Sequence, residues 1–161
     1  MVRRNFSASD LQNADLTGVA VHDGKFDASD LRGADFSGSD LTNSCFKFSD
    51  LNNVRFDGAN LSGAKFLTSD LRNASFIGCV LENTSFRGAV LSGVSFDNQT
   101  LTGTIFDNAE LIGTTFRNAI LRNVSFKTDV KKAVFDGARM DKVTYVVLKS
   151  YGANLKNVTV T

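Results

Sequence analysis

The chain has 161 residues, 42% of them hydrophobic, which is enough for one domain with a sizeable core and too few for a second independent one. Its 18 basic and 17 acidic side chains nearly cancel to a formal +1, so no whole-molecule field draws nucleic acid or imitates it, and charge has to be read locally. Zero Pro, zero Trp, 13 Gly and 14 Phe depart from ordinary globular usage and suggest an internal repeat. Two cysteines, Cys45 and Cys79, give no disulfide framework, and a reducing compartment is the simpler expectation. The opening segment Met1-Val2-Arg3-Arg4-Asn5-Phe6 lacks an apolar run of signal-peptide length, and no stretch approaches a membrane span. A cytoplasmic location without membrane contact is expected.

From Phe6 through Phe126 a large apolar residue stands at every fifth position, 25 in succession, and from Phe26 onward Phe and Leu alternate strictly. Two residues before nearly all of them sits a small one, as in Ala14, Ser29, Ala34, Ser44, Ala59 and Ala64, which predicts a second inward column. The residue between them is mostly polar, and the two that follow are polar or Gly, so these three point outward. A period of five fits neither the 3.6 of a helix nor the 2.0 of a strand, and each unit must therefore be a short extended piece plus a corner. Gly, Asn and Asp suit such corners. Stacked about 4.8 Å apart, successive coils satisfy one another's backbone groups, which leaves no room for Pro.

After Phe126 the expected position falls on Lys131, yet Ala133 with Phe135, and Ala138 with Met140, resume the pattern shifted by one residue. One residue is lost at a corner, with Val130 expected inward and Lys131 and Lys132 outward. The run from Lys142 to Tyr151 reads as a short helix capped by Asp141 and Gly152. Val143 and Tyr145 also keep the repeat phase, so a further coil is the competing reading; strand residues follow over 155–160. The expectation is one domain over 1–161, with regular repeats over about 4–128, the register shift at about 129–132, and a last coil and cap over about 133–161.

The units Ala14-Asp15-Leu16-Thr17-Gly18, Ala34-Asp35-Phe36-Ser37-Gly38 and Ala59-Asn60-Leu61-Ser62-Gly63 resemble the A-(D/N)-(L/F)-x-x consensus of the pentapeptide repeat family, and the resemblance extends over most of the chain. It implies an all-β fold, a right-handed quadrilateral β-helix with four units per coil, which the helical segment read from the residues would close as a short C-terminal cap. Faces then recur every twenty residues. Phe26, Phe46, Phe66, Phe86 and Phe106 fall on one face, and Phe36, Phe56, Phe76, Phe96 and Phe116 on the opposite one.

His22 is the only histidine and the glycines stand singly at corners, so catalytic residues, metal ligands and cofactor sites are all expected to be absent. Cys79 falls in the inward column as an inert thiol, and Cys45 falls outside it. The column Asp10, Asp30, Asp50, Asp70 and Glu110, interrupted by Val90, is either an acidic strip resembling a nucleic-acid backbone or ordinary repeat usage relieved by Arg32 and Arg72; the second reading is preferred. Phe48 and Leu67, on adjacent coils of one face, form a candidate apolar patch. Val143, Tyr145, Val146, Val147, Leu148 and Tyr151 surround more than one side of the expected helix, which is more than a cap requires, and Tyr145, Val146, Leu148 and Tyr151 are the candidate contacts of a second partner.

Pentapeptide repeat proteins often dimerise through an end, so the resemblance implies a homodimer through the C-terminal end. The ladder edge of the first coil is either protected by Arg3 and Arg4 or used for association. Charge is uneven, with residues 1–116 at −5 and residues 117–161 at +6. The expected role is a non-catalytic rigid scaffold or protein–protein interaction module, with an unknown protein partner and no direct nucleic-acid contact. The alternative drawn from the resemblance is a DNA-mimicking modulator of DNA gyrase, since some family members look like B-form DNA to type II topoisomerases and protect gyrase from quinolones. The near-neutral charge and the absence of any inserted loop weigh against it.

Overall fold

The computed structural model describes residues 4–161. Each five-residue unit pairs in parallel with the unit twenty residues on, as Lys25 with Cys45, Asp30 with Asp50, Asp35 with Arg55 and Asp40 with Asn60. Four units therefore make one coil, and the chain is a right-handed quadrilateral β-helix. Within each unit the central N–H donates to the following coil and the preceding N–H to the previous one: Leu31 to the Asp50 carbonyl at 2.8 Å, Asp30 to the Ser9 carbonyl at 3.0 Å. The four sides are named here by their central residues. Side A carries Phe6 to Phe126, side B Leu11 to Leu111, side C Leu16 and Phe36 to Phe135, and side D Val21 and Leu41 to Met140.

The core is ordered by aromatic shape. On side A the rings from Phe6 to Phe126 stack with centroids 4.8–5.3 Å apart and planes within 12°. On side C those from Phe36 to Phe135 stack at 5.1–5.4 Å. The two columns meet edge to face down the axis, as Phe76 meets Phe86 at 5.5 Å and 88°. Each such contact is worth about 0.5–1.5 kcal/mol beyond burial.

The small inward column tolerates hydroxyls because each has a carbonyl to reach. Ser49 Oγ donates to the Phe26 carbonyl of the coil before (2.6 Å) and accepts the Ser29 amide (3.4 Å), bridging the corner between them. Ser44 does the same for Val21 and Gly24, and Thr84, Thr104 and Thr114 donate likewise. Among the described residues no buried side-chain N or O lacks a hydrogen-bond partner.

The second residue of each regular corner has positive φ, and Gly or Asn fills most of these positions. Apart from Asp23, the exceptions lie in one column of side A: Ala8, Ala28, Phe48 and Thr68, at φ 55–58°.

The register loses one residue after Phe126, so Thr115 pairs with Val134 and Phe116 stacks on Phe135, nineteen residues on. Val130 fills the inward site, while Lys131 and Lys132 are exposed. Side D carries a four-stranded parallel sheet in sequence order, β1 (Thr100–Thr102), β2 (Ile120–Arg122), β3 (Arg139–Met140) and β4 (Thr159–Val160). Between β3 and β4 runs helix α1 (Lys142–Ser150). Its N-cap is Asp141; its C-cap is Tyr151 rather than Gly152, which follows at φ +83°. Both readings of this segment hold in part. The helix closes the stack, burying Thr144 and Leu148, and then a partial coil lies over the last one, with Asn157 accepting the Gly137 amide. The strand expected over 155–160 is shortened to Thr159–Val160.

At the other end Phe6, Leu11, Leu16, Val19 and Val21 are only half-buried. Arg4 donates to the His22 carbonyl at 2.7 Å, and Arg3 lies outside the described residues.

Candidate interaction surfaces

The acidic column sits on side B, where Asp10, Asp30, Asp50, Asp70, Val90 and Glu110 bridge in succession. Each Asp accepts the amide two residues on: Gln12 to Asp10 (3.2 Å), Arg32 to Asp30 (3.2 Å), Asn52 to Asp50 (3.1 Å) and Arg72 to Asp70 (3.1 Å). The carboxylate thus holds its own corner. Arg32 grips Asp30 with two donors at 2.9 and 2.6 Å and comes within 3.7 Å of Asp50, while Arg72 meets Asp70 at 2.5 Å. The Arg32 side chain holds the Asp30 carboxyl below the usual aspartate range, and Arg72 does so for Asp70. Glu110 accepts the Ser92 hydroxyl at 2.5 Å. The column is a row of carboxylates interleaved with guanidinium groups and broken by Val90.

Phe48 and Leu67 lie on side A, where the Phe48 amide donates to the Leu67 carbonyl at 3.0 Å. Phe48 is 59% exposed and Leu67 half-buried. Lys47 Nζ stands 4.8 Å from the Phe48 ring centroid.

At the C-terminal end the four candidates part company. Val146 and Tyr151 are exposed, and Tyr145 is half-buried beneath Lys149, whose Nζ lies 5.9 Å from its ring. Leu148 has no exposed surface, because it faces the core that α1 closes. It cannot touch a partner, which corrects its assignment as a dimer contact. Val143, 68% exposed and three residues before Val146, is instead an apolar residue that the helix leaves open. That i, i+3 spacing was the available signal. With Lys142, Val146 and Val147 it lines a shallow apolar hollow.

The two thiols are chemically quiet. Burial pushes Cys79 up to about 12, and its Sγ donates to the Phe56 carbonyl. Burial, followed by a bond to Asp27, raises Cys45 as well. Nucleophilic chemistry needs the thiolate, which neither favours.

Comparison with known proteins adds the family. A model of the pentapeptide repeat region matches residues 49–126, and a model of eight pentapeptide repeats matches residues 25–58. No curated protein sequence matches the chain. Trypsin-treated QnrB1, a plasmid-mediated fluoroquinolone resistance protein, is among the similar solved structures, at 20% identity over 99% of this chain and 86% of that one, with a TM-score of 0.49. The pentapeptide repeat protein Rfr23 from the cyanobacterium Cyanothece 51142 is 19% identical over 84% and 93% of the two chains, with a TM-score of 0.46. The pentapeptide repeat protein alr5209 from Nostoc PCC 7120 is 29% identical over 55% and 70%, with a TM-score of 0.39.

Proposed function

The chain belongs to the pentapeptide repeat family, and on that premise we propose that it is a non-catalytic scaffold that holds protein partners against a rigid stack, joining a second copy through its C-terminal end. The observation that supports this most directly is the two-sided chemistry of α1. Thr144, Leu148 and the half-buried Tyr145 seat the helix on the last coil, yet Val143, Val146 and Tyr151 stand exposed beside them. An apolar face left over after capping has its use in a contact. A two-fold pairing, with the same patch on both copies, covers it without leaving an open end.

The test is sedimentation equilibrium at micromolar concentration. The native chain is expected to give a dimer mass and Val146→Glu a monomer with unchanged far-ultraviolet circular dichroism; a native monomer would sink the C-terminal pairing. Gyrase modulation by DNA mimicry is tested separately, by supercoiling with and without a quinolone. The Arg32 and Arg72 pairs on side B and the formal +1 support an expected absence of effect. Inhibition or drug protection would overturn the scaffold reading in favour of the topoisomerase one.

A further inference from the structure

The formal charge of +1 conceals an uneven distribution among the four sides. When each unit is assigned to the side of its central residue, side A carries Arg4, Lys25, Lys47, Lys65, Arg87 and Lys127 against only Asp27 and Asp107. Sides B, C and D each hold more acidic than basic residues. Among the described residues Lys25, Lys47, Lys65 and Lys127 are exposed and make no ion pair, whereas Arg87 is drawn to Asp107 at 3.5 Å. Lys25 and Lys65 bridge to Cys45 from either side, so their backbones stand two coils, about 10 Å, apart. Lys47 and Phe48 sit between them.

Phe48 is out of place twice over. Its ring is largely exposed, and its φ of 58° belongs to a region that bulky residues rarely enter. Most equivalent corners use Gly or Asn. Ala8, Ala28 and Thr68 of the same column share the conformation, but Phe48 alone combines it with a large exposed ring, and that combination points to contact with something outside the chain.

We infer that side A docks an acidic protein segment, its carboxylates meeting Lys25, Lys47 and Lys65 while an apolar or aromatic side chain packs on Phe48 and Leu67. The inference rests on the scaffold reading and names the partner's chemistry. A protein is favoured over a phosphate polymer or a lipid surface because Asp27 lies among the lysines, its carboxylate accepting the Lys47 amide at 3.0 Å. A continuous row of phosphates would meet that carboxylate, whereas a protein can place a neutral or basic residue there. The free cations around Phe48 are lysines, point charges without the forked geometry that grips phosphate in two places, while Arg4 at the end of this side is bonded to the His22 carbonyl. An aromatic residue within a polar rim also matches the general layout of a protein interface.

Binding of poly-L-glutamate, a glutamate–tyrosine copolymer, duplex DNA of matched charge, and phosphatidylcholine vesicles containing phosphatidylserine tests this at low salt. The copolymer is expected to bind most tightly. Lys25→Glu, Lys47→Glu and Lys65→Glu together should weaken both polypeptides by about tenfold, while Lys131→Glu with Lys132→Glu on side B should not. Phe48→Asn, which suits the positive φ and keeps the fold, should weaken the copolymer and spare poly-L-glutamate. Equal affinity of native and triply reversed proteins would overturn the inference, as would tighter binding of DNA or vesicles than of the copolymer. A dimer that ignores every polymer would remove side A alone; a monomer that ignores them would remove the scaffold reading as well.

Discussion

Inside the stack, thirteen of the fourteen phenylalanines form two columns in which a central ring has neighbours above, below and across the axis; outside, on the same coils, Phe48 stands alone. One residue type thus serves two ends. In the interior, position within the five-residue frame decides everything, because twenty residues later the same atom finds the same neighbour. On the outer surface the frame asks only for a polar side chain or a Gly, so departures from it are not explained by folding. That difference separates what stabilises this protein from what it offers to others.

The comparison breaks most sharply at the core. Phe76→Ala should lower stability by about 3–5 kcal/mol in denaturant unfolding, since the cavity lies between Phe56, Phe96 and the opposite column. A loss under about 1 kcal/mol would mean that the columns do not hold the coils. Ser49→Ala is expected to cost about 1–3 kcal/mol, because the Phe26 carbonyl and the Ser29 amide lose the hydroxyl that bridges them; Ser49→Thr, keeping the hydroxyl, should recover part of it.

The closing segment obeys local helix rules instead of the repeat. Asp141 accepts the Thr144 amide (2.9 Å) and hydroxyl (2.9 Å) and the Asn123 amide (2.5 Å), so it caps α1 and ties it to the previous coil. Burial alone would raise its carboxyl, but these donors hold it below the usual range. Asp141→Ala should cost about 0.5–2 kcal/mol. Hydrogen exchange should then speed up at Thr144 and Asn123 while the Phe56 to Phe96 coils stay protected.

The smallest effect is expected from pH. The carboxyls of Asp30, Asp35, Asp40 and Asp70 lie below their ordinary value, held there first by the side chains of Arg32, Ser37, Thr42 and Arg72. Because the folded values are the lower ones, this stability is fully present above the ordinary aspartate value of 3.8 and disappears as the pH falls through the folded values. Urea midpoints should be level from neutral pH to about 5 and decline below about 4; a decline already at about pH 6 would assign the effect to other groups.

What is legible in the sequence follows the same division. The columns, the outward Asp slot, the lost residue near Val130 and the Asp141 cap all follow from spacing, because backbone stacking converts sequence period into spatial contact. Four units per coil does not follow from period five; it comes with the family resemblance. Leu148 escapes a correct assignment because an isolated helix does not reveal which of its apolar residues meets the core. The basic excess of side A is hidden when charge is read along the chain, −5 then +6, since the fold distributes it around the axis. Lys25, Lys47 and Lys65 become neighbours only once the coil length is known.

The most direct test of the division is the denaturant midpoint of Phe48→Asn. Asn at a φ of 58° relieves a left-handed penalty of about 1 kcal/mol, so a higher midpoint than that of the native protein is expected. A lower midpoint would show that Phe48 stabilises the stack and would contradict the claim that it is held there for a partner.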